Sequence, residues 1–317
     1  MTAKEPLDLA RVIAASERIA GRVHRTPVLT SQLLDQVTGA KVFFKAEHLQ
    51  RVGAFKARGA TNAVLNLDRD SARAGVATHS SGNHGAALAM AAAARGIAAH
   101  IVMPANAPAV KKEAVAAYGG LIVECEPTLA ARQATLARVV AATGAVEIHP
   151  YNHPDIIAGQ GTAALELLEQ VEDLDVVVVP VGGGGLLAGT ALAVKGSNPL
   201  TEVLAVEPEG ADDAFRSFGL GELQPQTNPQ TIADGLRTGL GELNFSIIRK
   251  QVDTILTVPE SRIVEAMRLQ WSRMKQVVEP SGAVSFAGLL EHPERFRGRR
   301  VGVIISGGNL DLANLPW

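Results

Sequence analysis

The chain has one cysteine in 317 residues, Cys125, so no disulfide forms within it and no cysteine-based zinc site can be built. Aromatic residues are scarce at 4%, too few for a surface that stacks nucleic-acid bases. Neither sign of charge prevails. Lys and Arg number 30 against 32 Asp and Glu, and a net charge of -2 gives no general attraction to nucleic acid or an anionic membrane. Long apolar runs are also missing: AALAMAAAA, Ala86–Ala94, is mostly alanine and too short to cross a bilayer. The opening residues, MTAKEPLDLA, lack the apolar core of a secretory signal. These absences predict a soluble cytoplasmic protein with no nucleic-acid or membrane partner. The length suffices for one large or two ordinary domains.

What is present is alternation. Short β-branched runs predict strands over 42–45, 76–78, 99–103, 121–124, 176–181, 203–206 and 301–305. Alanine-rich stretches of helical period predict helices over about 57–67, 85–95, 109–118, 128–143, 159–169, 186–194 and 260–274. That order is α/β. Runs that are apolar throughout, such as DVVVVPV at Asp175–Val181, predict strands covered on both faces of a parallel sheet. The polar stretch from Phe218 to Pro229 predicts a long surface loop.

Three glycine-rich turns each follow a predicted strand: SSGNHG at Ser80–Gly85, GGGG at Gly182–Gly185 and SGGN at Ser306–Asn309. Loops at the carboxyl ends of parallel strands are where such sheets bind ligands, so the three turns predict one composite site. Four consecutive glycines before a helix let the backbone aim its N–H groups at an anion, and a phosphate suits them. A rival reading exists. Gly183, Gly185 and Ala188 fit a dinucleotide fingerprint, with Glu207 at the distance of a ribose-binding acid, which would make a nicotinamide-dependent dehydrogenase. That reading leaves Lys56 and the other two glycine turns without a task.

Lys56 stands in GAFKARGATN, Gly53–Asn62, among small and apolar neighbours. Such surroundings lower an amine's pKa, as imine formation requires, although a lysine at a helix start is also a common surface residue. Taken with the phosphate-binding turn and the parallel sheet, it makes pyridoxal phosphate the economical ligand.

The segment FFKAEHLQRVGAFKARGATNAV (Phe43–Val64) resembles the lysine motif of the threonine/serine dehydratase and serine racemase family, fold-type II pyridoxal phosphate enzymes. SSGNHG, PVGGGGLLAG, VEPEGADD (Val206–Asp213), TIADG (Thr231–Gly235) and SGGNLDL are similar to that family's other landmarks, in the same order. One departure is Ala54, where many members have serine.

The resemblance implies two open, twisted, mainly parallel sheets flanked by helices, as in the tryptophan synthase β fold. A large cofactor domain would take residues 1–76 and 151–317, and a smaller mobile domain 77–150 would close on substrate. Lys56, beside Phe55, would hold the cofactor as an imine and then remove the substrate's α-proton. Asn83 would meet the phenolic oxygen, Gly182, Gly183, Gly184, Gly185 and the Leu186 amide the phosphate, and Ser306 the pyridine nitrogen. Ser80, Ser81, Gly82, Asn83 and His84 would receive the substrate carboxylate, and Ser81 is the acid/base in racemases of this family. Glu207, the Ala211 carbonyl and Asp213 match a divalent-cation site for Mg²⁺, or Ca²⁺ or Mn²⁺; read without the resemblance, they are two solvated carboxylates in a loop.

The implied activity is elimination of ammonia from a small β-hydroxy amino acid, L-threonine or L-serine first. 3-Hydroxyaspartate dehydration and serine racemisation are the alternatives. Arg237, after TIADG, reads as a structural surface residue, or else as a partner for a second substrate carboxylate. A homodimer is expected from the resemblance, and the end at Trp317 leaves no room for a carboxyl-terminal regulatory domain.

Overall fold

The computed structural model describes residues 6–80 and 82–317. Among the described residues the strands are, in chain order, β1 (Val28–Leu29), β2 (Lys41–Ala46), β3 (Val76–His79), β4 (Ala99–Pro104) and β5 (Leu121–Cys125). They continue with β6 (Val146–Glu147), β7 (Val176–Pro180), β8 (Glu202–Pro208), β9 (Thr254–Val258) and β10 (Arg300–Ile305). One sheet has the order β1-β2-β10-β7-β8-β9, the other β5-β4-β3-β6. Every pairing is parallel except β1 with β2.

The central strand β7 shows why the sheet is covered on both faces. Alternate residues of a strand point to opposite sides. Val177 and Val179 join the core beneath the helices Pro154–Gln170 and Gly185–Ser197, while Val176 and Val178 join the core under Pro280–Glu291. All four valines are fully buried, as the uninterrupted apolar run requires.

Each predicted strand and helix is present, with shifted ends. The helix expected from residue 159 starts at Pro154, where a proline in the first turn loses no helical hydrogen bond and the His153 ring accepts from the Asp155 amide. The helix expected to residue 274 ends its α-helical part at Leu269 and continues as π-helix over Gln270–Met274. The loop expected from Phe218 begins later, because helix Asp213–Leu220 runs into it and stops at Gly221, whose φ is 75°. Short or half-buried elements escaped the pattern, among them β1, β6 and β9.

The strand order places the site. β2, β10 and β7 are successive parallel neighbours, so the lysine loop, the Ser306 turn and the tetraglycine turn leave the sheet side by side at its carboxyl edge.

Candidate active site

The lysine loop is pinned by the turn that follows β10. The Phe55 amide donates to the Ser306 carbonyl at 3.0 Å, and Gly308 donates to the Gly53 carbonyl at 3.0 Å. Ala54 bridges to Gly307 between them. The chain then enters helix Lys56–Asn66 with Lys56 as its first residue. The Lys56 amine donates to the Pro150 carbonyl at 3.0 Å, with the Phe55 ring centroid 5.0 Å away. Burial pulls its pKa down to about 8, against a smaller opposing pull from the Glu279 charge.

Next to Pro150 stands Tyr151, and its ring lies against the tetraglycine turn. Any Cβ at Gly183 would collide with that ring. Gly184 has φ of +87°, and a Cβ there would come within 2.6 Å of Leu240. Among the described residues no amide from Gly182 to Leu186 donates to a protein acceptor, although all five residues are buried. They open helix Gly185–Ser197, which has no side-chain cap. A row of buried, unpartnered N–H groups at a helix start fits a phosphate. The amine and this cup therefore flank one dipeptide, Pro150–Tyr151.

The third turn comes from the other sheet. Asn83, first residue of helix Asn83–Arg95, donates to Glu279 Oε1 at 3.0 Å and accepts from Asn309 Nδ2 at 2.9 Å. Glu279 also accepts the Asn309 amide, and burial followed by the Asp234 charge raises its pKa to about 8. Ser306 is buried, 3.4 Å from the Ser281 carbonyl. Ser80 Oγ accepts weakly from the Gly82 amide, whereas the buried His84 ring turns to the Ile148 carbonyl. Ser81 lies outside the described residues.

The family described as pyridoxal-phosphate dependent enzyme matches residues 19–307. The chain belongs to that family. It is 52% identical to a β-hydroxyaspartate dehydratase of Paracoccus denitrificans over 96% of this chain and 97% of that one. Identity to an L-threo-3-hydroxyaspartate ammonia-lyase of Saccharomyces cerevisiae is 47%, covering 95% and 93%. A solved maize serine racemase superposes with a TM-score of 0.95 at 47% identity, covering 96% and 94%. Membership replaces the dinucleotide reading of the glycines. Glu207 is in any case engaged, accepting the Ala214 and Phe215 amides at 3.2 and 2.9 Å.

For this pyridoxal-phosphate dependent enzyme, several site residues went unnoticed in the sequence. Glu279 joins Asn83 to Asn309, and no glycine signal marks it. Tyr151 and His149 stack edge to face with centroids 4.6 Å apart, and His149 meets His79 at 6.1 Å. Burial, then the His79 charge, lowers the His149 pKa to about 4. Arg132, in the first turns of helix Leu129–Thr143, is close enough for its charge to act on His79 and Tyr151. Its Nε is buried with no acceptor among the described residues. Arg237 is exposed and its guanidinium binds the Thr231 carbonyl, a structural role.

Glu207 and Asp213 are both fully buried. Asp213 accepts from Leu240 and Gln226 at 2.8 Å each, and no basic side chain bonds either carboxylate among the described residues. Burial raises both carboxyl pKa values, Asp213 to about 6. A buried acidic pair without a cation of its own fits a hard divalent ion. Ala211 is buried beside them in a short 3₁₀ turn.

Proposed function

We propose that the protein is a pyridoxal phosphate-dependent ammonia-lyase acting on a small β-hydroxy amino acid, with the dicarboxylate 3-hydroxyaspartate preferred over L-serine and L-threonine. The observation that carries the reaction class is the Lys56 amine, lowered to about 8 and held beside the buried glycine cup. Pyridoxal phosphate, when bound, supplies an aldehyde that takes up amines and a ring that withdraws electrons from the substrate's α-carbon.

The chain's residues supply the rest. At a pKa of about 8, roughly a tenth of Lys56 amines are neutral at pH 7, against about one in several thousand for an ordinary lysine. That neutral amine accepts the α-proton. The amides from Gly182 to Leu186 would hold the phosphate, and Asn83 and Ser306 would serve the ring's polar atoms. The start of helix Asn83–Arg95, with Ser80, Ser81, Gly82 and the His84 backbone, receives the α-carboxylate. Loss of the β-hydroxyl as water leaves an unsaturated amine, and hydrolysis gives a 2-oxo acid and ammonia.

Arg132 and the two hydroxyaspartate-acting relatives favour the dicarboxylic substrate. A buried guanidinium nitrogen lacking an acceptor suits a distal carboxylate. The unit 77–150 is read as a cover for the site: Lys111 pairs with Asp234, and Asn83 with Glu279, across its boundary. Glu207, the Ala211 carbonyl and Asp213 are read as holding a divalent cation, Mg²⁺ first, that steadies the cup through Leu240. The deciding assay incubates the cofactor-loaded protein with L-serine, L-threonine and both 3-hydroxyaspartate diastereomers, following 2-oxo acid, ammonia and D-serine. Oxo acid and ammonia in equal amounts, fastest from one hydroxyaspartate, are expected. D-Serine as the main product, or no oxo acid at all, overturns the proposal.

A further inference from the structure

Two residues past Lys56, Arg58 is fully buried on the far side of the same helical turn. Its guanidinium makes two forked pairs. Nε and Nη2 donate to Glu47 at 2.7 and 2.8 Å, and Nη1 and Nη2 donate to Glu166 at 2.8 Å each. Thr26 donates to Glu47 at 2.5 Å, and Lys45 donates to Glu166 at 2.7 Å and to Gln170 at 2.9 Å. The charge that acts on Lys56 is that of Glu279, while two acids and two bases balance within the network.

Its geometry is another matter. Glu47 lies just after β2 and Arg58 just after the reactive lysine, so their pairing closes a loop around Lys56. That loop contains Val52 at φ 57°, a left-handed conformation that a β-branched residue holds only when its surroundings impose it. The second fork, to Glu166, fastens the same turn to helix Pro154–Gln170. Pro150, whose carbonyl receives the Lys56 amine, stands four residues before that helix. The two helices touch so closely that a Cβ on Gly159 would lie 2.6 Å from the Gly59 Cα.

We propose that Arg58 is a positioning residue: one guanidinium ties the lysine loop and the segment bearing Pro150 into a single frame and thereby aims the Lys56 amine. The inference rests on Lys56 being the cofactor lysine.

The test compares Arg58→Lys, which keeps the charge and loses the forks, with Lys45→Met, which removes a buried cation from Glu166 at a residue that bonds neither Glu47 nor the lysine helix. Arg58→Lys is expected to slow development of the visible cofactor band on mixing cofactor-free protein with pyridoxal phosphate by about tenfold. It is also expected to lower kcat about 30–100-fold with KM within about threefold, and to enlarge the α-deuterium isotope effect on kcat, since a misplaced base slows proton transfer. Lys45→Met is expected to lower the melting temperature comparably while keeping the band rate and kcat within about threefold. Equal kinetic losses in the two variants, or an unchanged band rate and isotope effect in Arg58→Lys, overturn the proposal. Should Arg58→Lys not fold, Glu47→Gln, of the same shape, is judged by the same readouts. Absence of any band in the wild-type protein would refute the cofactor lysine itself, a distinct failure.

Discussion

Lys56 and Arg58 are cations two residues apart on one helical turn, and burial works against the charge of both. Lys56 is given a single carbonyl as partner, so burial wins and its pKa falls to about 8. Arg58 is given two carboxylates in forked pairs, so the partners win and its pKa rises above the ordinary arginine value. Glu47 shows the same outcome from the other side: burial is the largest push and raises it, but Arg58, the Thr26 hydroxyl and the Lys45 charge together outweigh it, and it ends lowered. The number of partners, and not depth alone, separates a reactive amine from a structural one.

The sharpest way to break the comparison is Lys56→Ala. Loss of turnover by at least about 10³-fold and of the visible cofactor band is expected, because no other residue does both tasks. The melting temperature should hold steady, since a barely partnered buried cation is being removed. Gly183→Ala comes next. The added methyl meets the Tyr151 ring, and pyridoxal phosphate affinity should fall about 10–100-fold by equilibrium titration, with partial recovery in Gly183→Ala/Tyr151→Ala. Arg132→Met should raise KM for 3-hydroxyaspartate about tenfold or more and leave that for L-serine within about threefold, since only the former offers a distal carboxylate. The smallest effect is expected from the acidic pair: EDTA should lower the melting temperature by a few degrees and Mg²⁺ restore it, a response lost in Asp213→Asn.

A pH series sharpens the same contrast. The neutral amine is the reactive form, and burial moves its pKa down, so more of it is available at any pH below 10. The rate of cofactor-band formation should rise with pH and level off above about 8. A midpoint near 10 would mean that Lys56 is solvated like an ordinary lysine.

Much of this was legible in the sequence, for local reasons. The β7 valines announce a strand buried on both faces, and the four glycines announce a backbone that must approach an anion. The glycine turns after β3, β7 and β10 were readable as ligand loops because each directly follows its strand. What stayed hidden depends on contacts far apart in the chain. Glu279 meets Asn83 and Asn309 across the fold, and Arg132 comes near His79 and Tyr151 because helix Leu129–Thr143 packs over β3. Glu47 and Arg58 sit inside the very segment that suggests the cofactor lysine, yet the second fork of Arg58 goes to Glu166, more than a hundred residues on. Helix ends were misplaced where a cap decided them: Pro154 with His153 at one start, Gly221 at one stop.

The most direct test is to mix the cofactor-free protein with pyridoxal phosphate, reduce with borohydride and map the labelled peptide by mass spectrometry. A single stoichiometric label on Lys56, diminished in Gly183→Ala, is the predicted result. A label spread over several lysines, or one placed elsewhere than Lys56, would contradict the account.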